Sequence, residues 1–95
     1  MPSLPSDKVR SALLRKLQCE EESDHADVRY VVYDAGGRAL CYTLLSHGAK
    51  HDLGGPRVSS MARQLRLSTQ EFVELVRCSL SGESALHRIA ERASR

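Results

Sequence analysis

The stretch VRYVVYDAGGRALCYTLL, residues 28–45, decides the fold, because two strand-forming segments flank a glycine-containing turn. Residues 28–33 and 39–45 are rich in β-branched and aromatic side chains, which favour extended backbone. The DAGGR segment between them offers two glycines that can take a positive φ in a tight turn. The pattern predicts an antiparallel β-hairpin whose strands carry apolar residues on both faces near their centres.

Apolar residues at helical spacing lie on both sides of this hairpin. Before it, positions 9, 12, 13 and 17 predict a helix over about residues 7–18 with Ser6 as its N-cap, and the preceding MPSLP is expected to be loosely held. After it, RVSSMARQLRL predicts a second helix, and SLSGESALHRIAERASR predicts the last one. Between these two, STQEFVELVRC opens with Ser68 and has Glu71 three residues later, which is a capping-box pattern.

The acidic segment CEEESDHAD, residues 19–27, fits either an acidic loop or a weak edge strand. The predicted order is therefore an N-terminal helix, a small antiparallel sheet of two to three strands, and two to three C-terminal helices. This order indicates an α+β fold. A chain of 95 residues is expected to form one domain, residues 1–95.

The composition excludes several classes of protein. Three tyrosines and one phenylalanine are too few for a platform that stacks successive bases of a single strand. The three cysteines are widely spaced and form no CxxC pair, so we expect small buried hydrophobes rather than a thiolate metal site. Because no long apolar run or signal segment is present, the sequence predicts a cytoplasmic protein without membrane contact.

Two short stretches carry candidate chemistry. SDHAD, residues 23–27, contains His25, and LLSHGAKHDLGGP, residues 44–56, places His47, Lys50 and His51 directly after a strand. A histidine can act as base or acid near neutrality, and the cationic cluster could bind phosphate. The alternatives are an exposed histidine in an acidic loop at position 25 and a ring that packs on the sheet at position 47. A zinc site from the three histidines lacks a recognised ligand spacing.

These segments and their order resemble the HicA-type toxins, which are mRNA interferases with a double-stranded-RNA-binding type of fold. That family carries a histidine after a Gly-Ser or Gly-Asp pair near its second strand, where this chain has SDH, residues 23–25. It carries another histidine at the end of the third strand, before a lysine-containing segment, where this chain has SHGAK, residues 46–50. YDAGG, LSHGAK, MARQLRLSTQEFVELVRC and LSGES are similar to a lengthened branch of the family, over roughly residues 7–86.

The chain departs from the family pattern around the first histidine. Ser23 stands where a glycine is expected, and Ala26 stands where many relatives have a second histidine. Alignment back from the YD pair, residues 33–34, places Asp27 rather than His25 at the catalytic position. Since the two positions are two residues apart, both would face the same side of a strand.

The resemblance implies a bacterial, cytoplasmic RNA-binding protein of a type II toxin–antitoxin system, with metal-independent endoribonuclease activity and no cofactor. It assigns His25 as the catalytic residue and His47, Lys50, Arg57 and Arg63 as contacts to RNA phosphate. The implied partners are mRNA and an antitoxin protein, and homo-oligomerisation is left open. Residues 7–66 would form the RNA-binding-like core, with a helical extension over residues 67–95.

Two functions of other classes compete with the nuclease. The segment MARQLRLSTQEFVELV predicts a helix, a tight break at RLST and a capped second helix, an order that is also typical of a helix-turn-helix. Such a motif would direct Thr69, Gln70 and Glu74 towards a DNA groove. Its second helix has few bases and two glutamates, which favours a helix pair that closes the core. The other alternative is a non-catalytic scaffold that binds a partner protein or RNA.

Overall fold

The structure is a computed structural model that describes residues 3–23, 27–46 and 52–93. It confirms the predicted α+β class, with an N-terminal helix, a three-stranded antiparallel sheet and C-terminal helices. In chain order the elements are β1 (Leu4–Pro5), α1 (Ser6–Ser11), a π-helix (Ala12–Lys16), β2 (Glu20–Ser23), β3 (Asp27–Tyr33), β4 (Ala39–Ser46), β5 (Asp52–Leu53), α2 (Gly55–Gln64), α3 (Thr69–Val76) and α4 (Gly82–Ala93).

The predicted hairpin is the centre of the sheet, whose strand order is β2-β3-β4. Its turn is held by Asp34, whose Oδ1 accepts hydrogen bonds from the backbone N–H of Gly36 and of Arg38, each at 2.9 Å. Gly37 has a φ of 83°, a value at which a side chain would be strained. The acidic segment forms β2, an edge strand with every residue exposed, so the edge-strand alternative is confirmed.

The expectation that MPSLP is loosely held is wrong for Leu4 and Pro5. Leu4 pairs with Leu53 and Pro5 with Asp52, so β1 and β5 form a second, two-stranded antiparallel sheet. Leu4 is only 1% exposed, and burial of a leucine side chain is worth about 2 kcal/mol, which fixes this segment. Pro5 rather than Ser6 occupies the N-cap of α1, and Ser6 is itself buried.

The helices cover one face of the three-stranded sheet. The period of two along β3 sends Val28, Tyr30 and Val32 into the core and leaves Arg29 exposed on the opposite face. The described part of the extension, residues 67–93, contributes to this core. The core residues that lie on these helices or cap their C-terminal ends include Val9, Leu13, Leu17, Val58, Met61, Leu65, Phe72, Leu75, Ala85 and Ile89.

The capping box of α3 is confirmed. The Ser68 Oγ accepts a hydrogen bond from the backbone N–H of Glu71 at 3.1 Å, and the Glu71 Oε1 accepts one from the backbone N–H of Ser68 at 2.8 Å. These bonds satisfy two of the backbone donors that the first turn of a helix leaves unpaired. They start α3 so that Phe72, Val73, Leu75 and Val76 are all buried, and the α2–α3 pair closes the core.

Candidate nucleic-acid interface

His25, His47 and Lys50 lie outside the described residues, as does His51, but the strand ends on both sides of them are described. Ser23 ends β2, Asp27 begins β3 and Ser46 ends β4. Ser23 is paired with Val28, and Asp27 is paired with Ser46. Opposite residues of an antiparallel pair have Cα atoms about 5 Å apart. The strand ends next to segments 24–26 and 47–51 therefore lie side by side at one end of the sheet.

Arg57 lies beside the last part of β4. It stands in the first turn of α2, after the Gly54 N-cap and Pro56, which favours a helix start. Its Nη2 donates a hydrogen bond to the Leu44 carbonyl oxygen at 2.7 Å, and its side chain is exposed. A guanidinium has five N–H donors in a planar fork, so one bond to a carbonyl leaves donors for a phosphate.

Arg63, the other predicted phosphate contact, is exposed on α2 but is six residues further along the helix. Six residues advance a helix by about 9 Å and turn it by about 240°. The two arginines therefore lie on different sides of α2. Arg57 therefore lies beside β4, whereas Arg63 does not share that side of the helix.

Arg29 and Tyr42 form an exposed pair that the sequence analysis did not identify as part of a site. The Arg29 guanidinium carbon lies 4.9 Å from the centroid of the Tyr42 ring, and Tyr42 is 49% exposed. This cation–π contact lies on the sheet face opposite Val28 and Tyr30, which also carries the buried Val31. The sequence feature that could have identified Arg29 is its position in the strand DVRYVVY, residues 27–33. Successive side chains of a strand point to opposite faces, so Arg29 lies on the face opposite Val28 and Tyr30.

The Arg29–Tyr42 pair can support an unpaired base but is not a strong phosphate site. An aromatic ring next to a guanidinium offers a surface on which a nucleobase can stack. The Glu22 Oε1 lies 3.9 Å from the Arg29 Nη1, with both side chains about half exposed. This carboxylate reduces the positive charge available to a phosphate at that point.

The thiols differ from one another in their surroundings. Burial raises the pKa of Cys19 to about 12 and the pKa of the half-buried Cys41 to about 11, which makes both weak nucleophiles near neutrality. The expectation of a buried Cys78 is wrong, because this residue is exposed. Cys78 follows the end of α3 with a φ of 69°, so it lies in a turn outside the buried face of that helix.

No group of three or more His, Cys, Asp or Glu side chains is placed to hold a metal ion within residues 3–23, 27–46 and 52–93. The histidines of the zinc alternative lie outside these ranges. Of the residues that a helix-turn-helix would direct to DNA, Gln70 is exposed, Glu74 is half-buried, and the Thr69 hydroxyl lies 3.2 Å from the Ser59 hydroxyl.

None of the described helices is both long enough and apolar enough to cross a bilayer. Comparison of the chain with protein-family models, with curated proteins and with solved structures gave no match in any of the three.

Proposed function

We propose that the end of the sheet at Ser23, Asp27 and Ser46 binds RNA, and that the protein is a HicA-like toxin with metal-independent endoribonuclease activity. The observation that supports this most is the pairing of Asp27 with Ser46. It brings together the strand ends next to the two histidine-containing segments, 24–26 and 47–51. These segments are far apart in sequence, and only the hairpin register makes them neighbours.

The proposed chemistry needs no metal ion. His25 takes the proton of a ribose 2′-hydroxyl, and the 2′-oxygen attacks the adjacent phosphorus. The bond to the 5′-oxygen breaks as this oxygen takes a proton from water, which leaves a 2′,3′-cyclic phosphate and a 5′-hydroxyl, and the protonated His25 returns its proton to the resulting hydroxide. Histidine suits both proton transfers because its ordinary pKa is close to neutrality. His47, Lys50 and Arg57 offset the charge that develops on the phosphate. Asp27 would orient the base, or would replace His25 as the catalytic group.

The same surface accounts for the proposed partners. An antitoxin protein that covers this end of the sheet would block the RNA site. The free thiols of Cys19, Cys41 and Cys78 suit a reducing cytoplasm, where we propose that the protein acts.

The nuclease proposal predicts cleavage of purified mRNA in the presence of EDTA. We expect His25→Ala to lower the cleavage rate by about 100-fold or more, since loss of a general base costs at least that much. The measurement is the rate of RNA fragment formation on a denaturing gel. The matched control is His87→Ala, because the His87 side chain is 81% exposed and lies next to Glu91 on α4 rather than on a strand of the sheet. This control should cleave like the wild type.

The other outcomes separate the alternatives. Equal loss of activity in His87→Ala would contradict the proposed site, and cleavage that survives His25→Ala but not Asp27→Asn would move the catalytic role to Asp27. Protein that leaves RNA intact, yet binds it with an affinity reduced by Arg57→Gln, would be the non-catalytic scaffold. A shift of duplex DNA without any RNA binding would favour the helix-turn-helix.

A further inference from the structure

A groove of about 350 Å³ lies between the N-terminal segment and the end of α3, and none of its lining residues is one of the strand ends Ser23, Asp27 and Ser46 described above. Three cationic side chains from three elements line it: Lys8 of α1, Lys16 of the π-helix and Arg77 after α3. The exposed residues Ser11 and Cys78 also line it. None of the described residues that form its walls carries a carboxylate.

The cations of the groove differ in how they are held. The Lys16 Nζ donates to the Leu75 carbonyl oxygen and to the Cys78 Sγ, the latter at 2.8 Å, so this ammonium is fixed at the groove wall. Lys8 and Arg77 are exposed, and within the described ranges neither takes part in an ion pair. Like charges that share one concave surface repel each other, and an anion of high charge relieves that repulsion.

The groove also has an apolar part, to which the half-buried Pro5 ring contributes, while Leu4, Ala12 and Val76 are buried beneath it. A ligand that fits both the cationic and the apolar part has a compact dianionic group and an organic part. A carboxylate would bring only one negative charge to three cations, whereas a phosphate monoester brings nearly two and several acceptor oxygens. We propose that this groove binds a phosphate monoester, with the phosphate among Lys8, Lys16 and Arg77 and the organic group against Pro5.

This proposal is independent of the proposed RNA cleavage, because no groove residue belongs to the sheet end. Free phosphate monoesters and a 5′-phosphate at an RNA end share the chemistry that the groove would recognise. Cys78 provides the readout for both, since its exposed thiol lies in the groove while Cys19 is buried and Cys41 is half-buried.

The test is protection of Cys78 from alkylation by iodoacetamide, an uncharged reagent, followed by peptide mass spectrometry of the full-length protein. We expect adenosine 5′-monophosphate to slow the reaction saturably, by about tenfold at a concentration ten times its Kd, if the bound form is unreactive. Inorganic phosphate should protect at higher concentration, because it lacks the apolar contact. An oligoribonucleotide with a 5′-phosphate is compared with its 5′-hydroxyl form to test an RNA end as the source.

Matched variants distinguish phosphate binding in the groove from a general effect of the protein's charge. Lys8→Gln and Arg77→Gln should weaken protection, whereas Arg63→Gln, an exposed arginine on α2, should protect like the wild type at the same ionic strength. Protection by uncharged adenosine equal to that by its monophosphate would overturn the proposal. So would an absence of protection by all of the phosphates, or equal protection in the Lys8→Gln, Arg77→Gln and wild-type proteins.

Discussion

Replacing Gly82 by alanine should remove about 3 kcal/mol or more of folding free energy, because the added methyl group has no space. Gly82 is the first residue of α4, and a Cβ there would lie 2.2 Å from the backbone oxygen of Lys16 and 2.8 Å from its backbone carbon. Backbone atoms cannot swing aside as a flexible side chain does. Lys16 is also followed by Leu17, which is only 1% exposed. The π-helix therefore cannot move away from α4 without disturbing the core.

Urea unfolding measures this effect, with Gly36→Ala as the matched control. A Cβ on Gly36 would meet its nearest atom, the Asp34 Oδ1, at 3.4 Å, which is an ordinary contact. We expect this exposed turn variant to stay within about 0.5 kcal/mol of the wild type. If Gly82→Ala is as stable as Gly36→Ala, then α4 does not begin against the backbone of Lys16.

Replacing Glu71 by glutamine should lower the free energy of unfolding by about 2 kcal/mol at neutral pH. The Glu71 carboxylate accepts hydrogen bonds from the Arg88 Nη1 at 2.7 Å and from the Arg92 Nη1 and Nη2 at 2.7 and 3.0 Å. Its side chain is only 14% exposed, so these charge-assisted bonds are partly shielded from water. Glutamine has nearly the same shape, so the loss reports the charge together with the acceptor oxygen that the amide NH₂ replaces.

We also expect the stability difference between the wild type and Glu71→Gln to depend on pH. Hydrogen bonds from Arg92, the backbone N–H of Ser68 and Arg88 outweigh the effect of burial and lower the pKa of Glu71 to about 2. The unfolded chain takes up this proton near pH 4.3, well above the folded protein. The stabilisation by Glu71 is therefore fully present above about pH 5 and is lost as the pH falls towards 2.

Chemical unfolding of the wild type and Glu71→Gln across this range gives the difference directly. The difference in unfolding free energy should be constant from about pH 5 to 7 and should shrink at lower pH. Glu83→Gln is the control, because Glu83 is exposed in the first turn of α4 and should change stability by no more than about 0.5 kcal/mol. If the difference in unfolding free energy between the wild type and Glu71→Gln grows as the pH falls, the proposed stabilisation by the Glu71–arginine network is contradicted.

Local sequence patterns predicted the elements whose causes are local. The strand pair of residues 28–45 follows from side-chain type and turn glycines, and the start of α3 follows from Ser68 and Glu71, only three residues apart. The acidic segment stayed ambiguous because an exposed edge strand needs no apolar residues of its own. Only its pairing with β3 distinguishes it from a loop.

Contacts between distant residues could not be predicted in this way. Leu4 pairs with Leu53, and Glu71 binds arginines 17 and 21 residues later in the chain. No local pattern shows these partners, so the first residues were expected to be loose and Glu71 was identified only as part of a cap. The candidate site was predicted as residue types, but the adjacency of its two segments depends on the register that pairs Asp27 with Ser46.

The central claim, that RNA binds at this end of the sheet, is tested most directly by a ¹H–¹⁵N NMR titration with a short RNA that has a 5′-hydroxyl end. The prediction is that the largest changes in amide chemical shift occur at Ser23, Asp27, Val28, Leu45 and Ser46, at the paired strand ends. Small changes are expected in α4, on the helical side of the core. Largest changes in α4 or around Lys8 and Arg77, or unchanged spectra at saturating RNA, would contradict the claim.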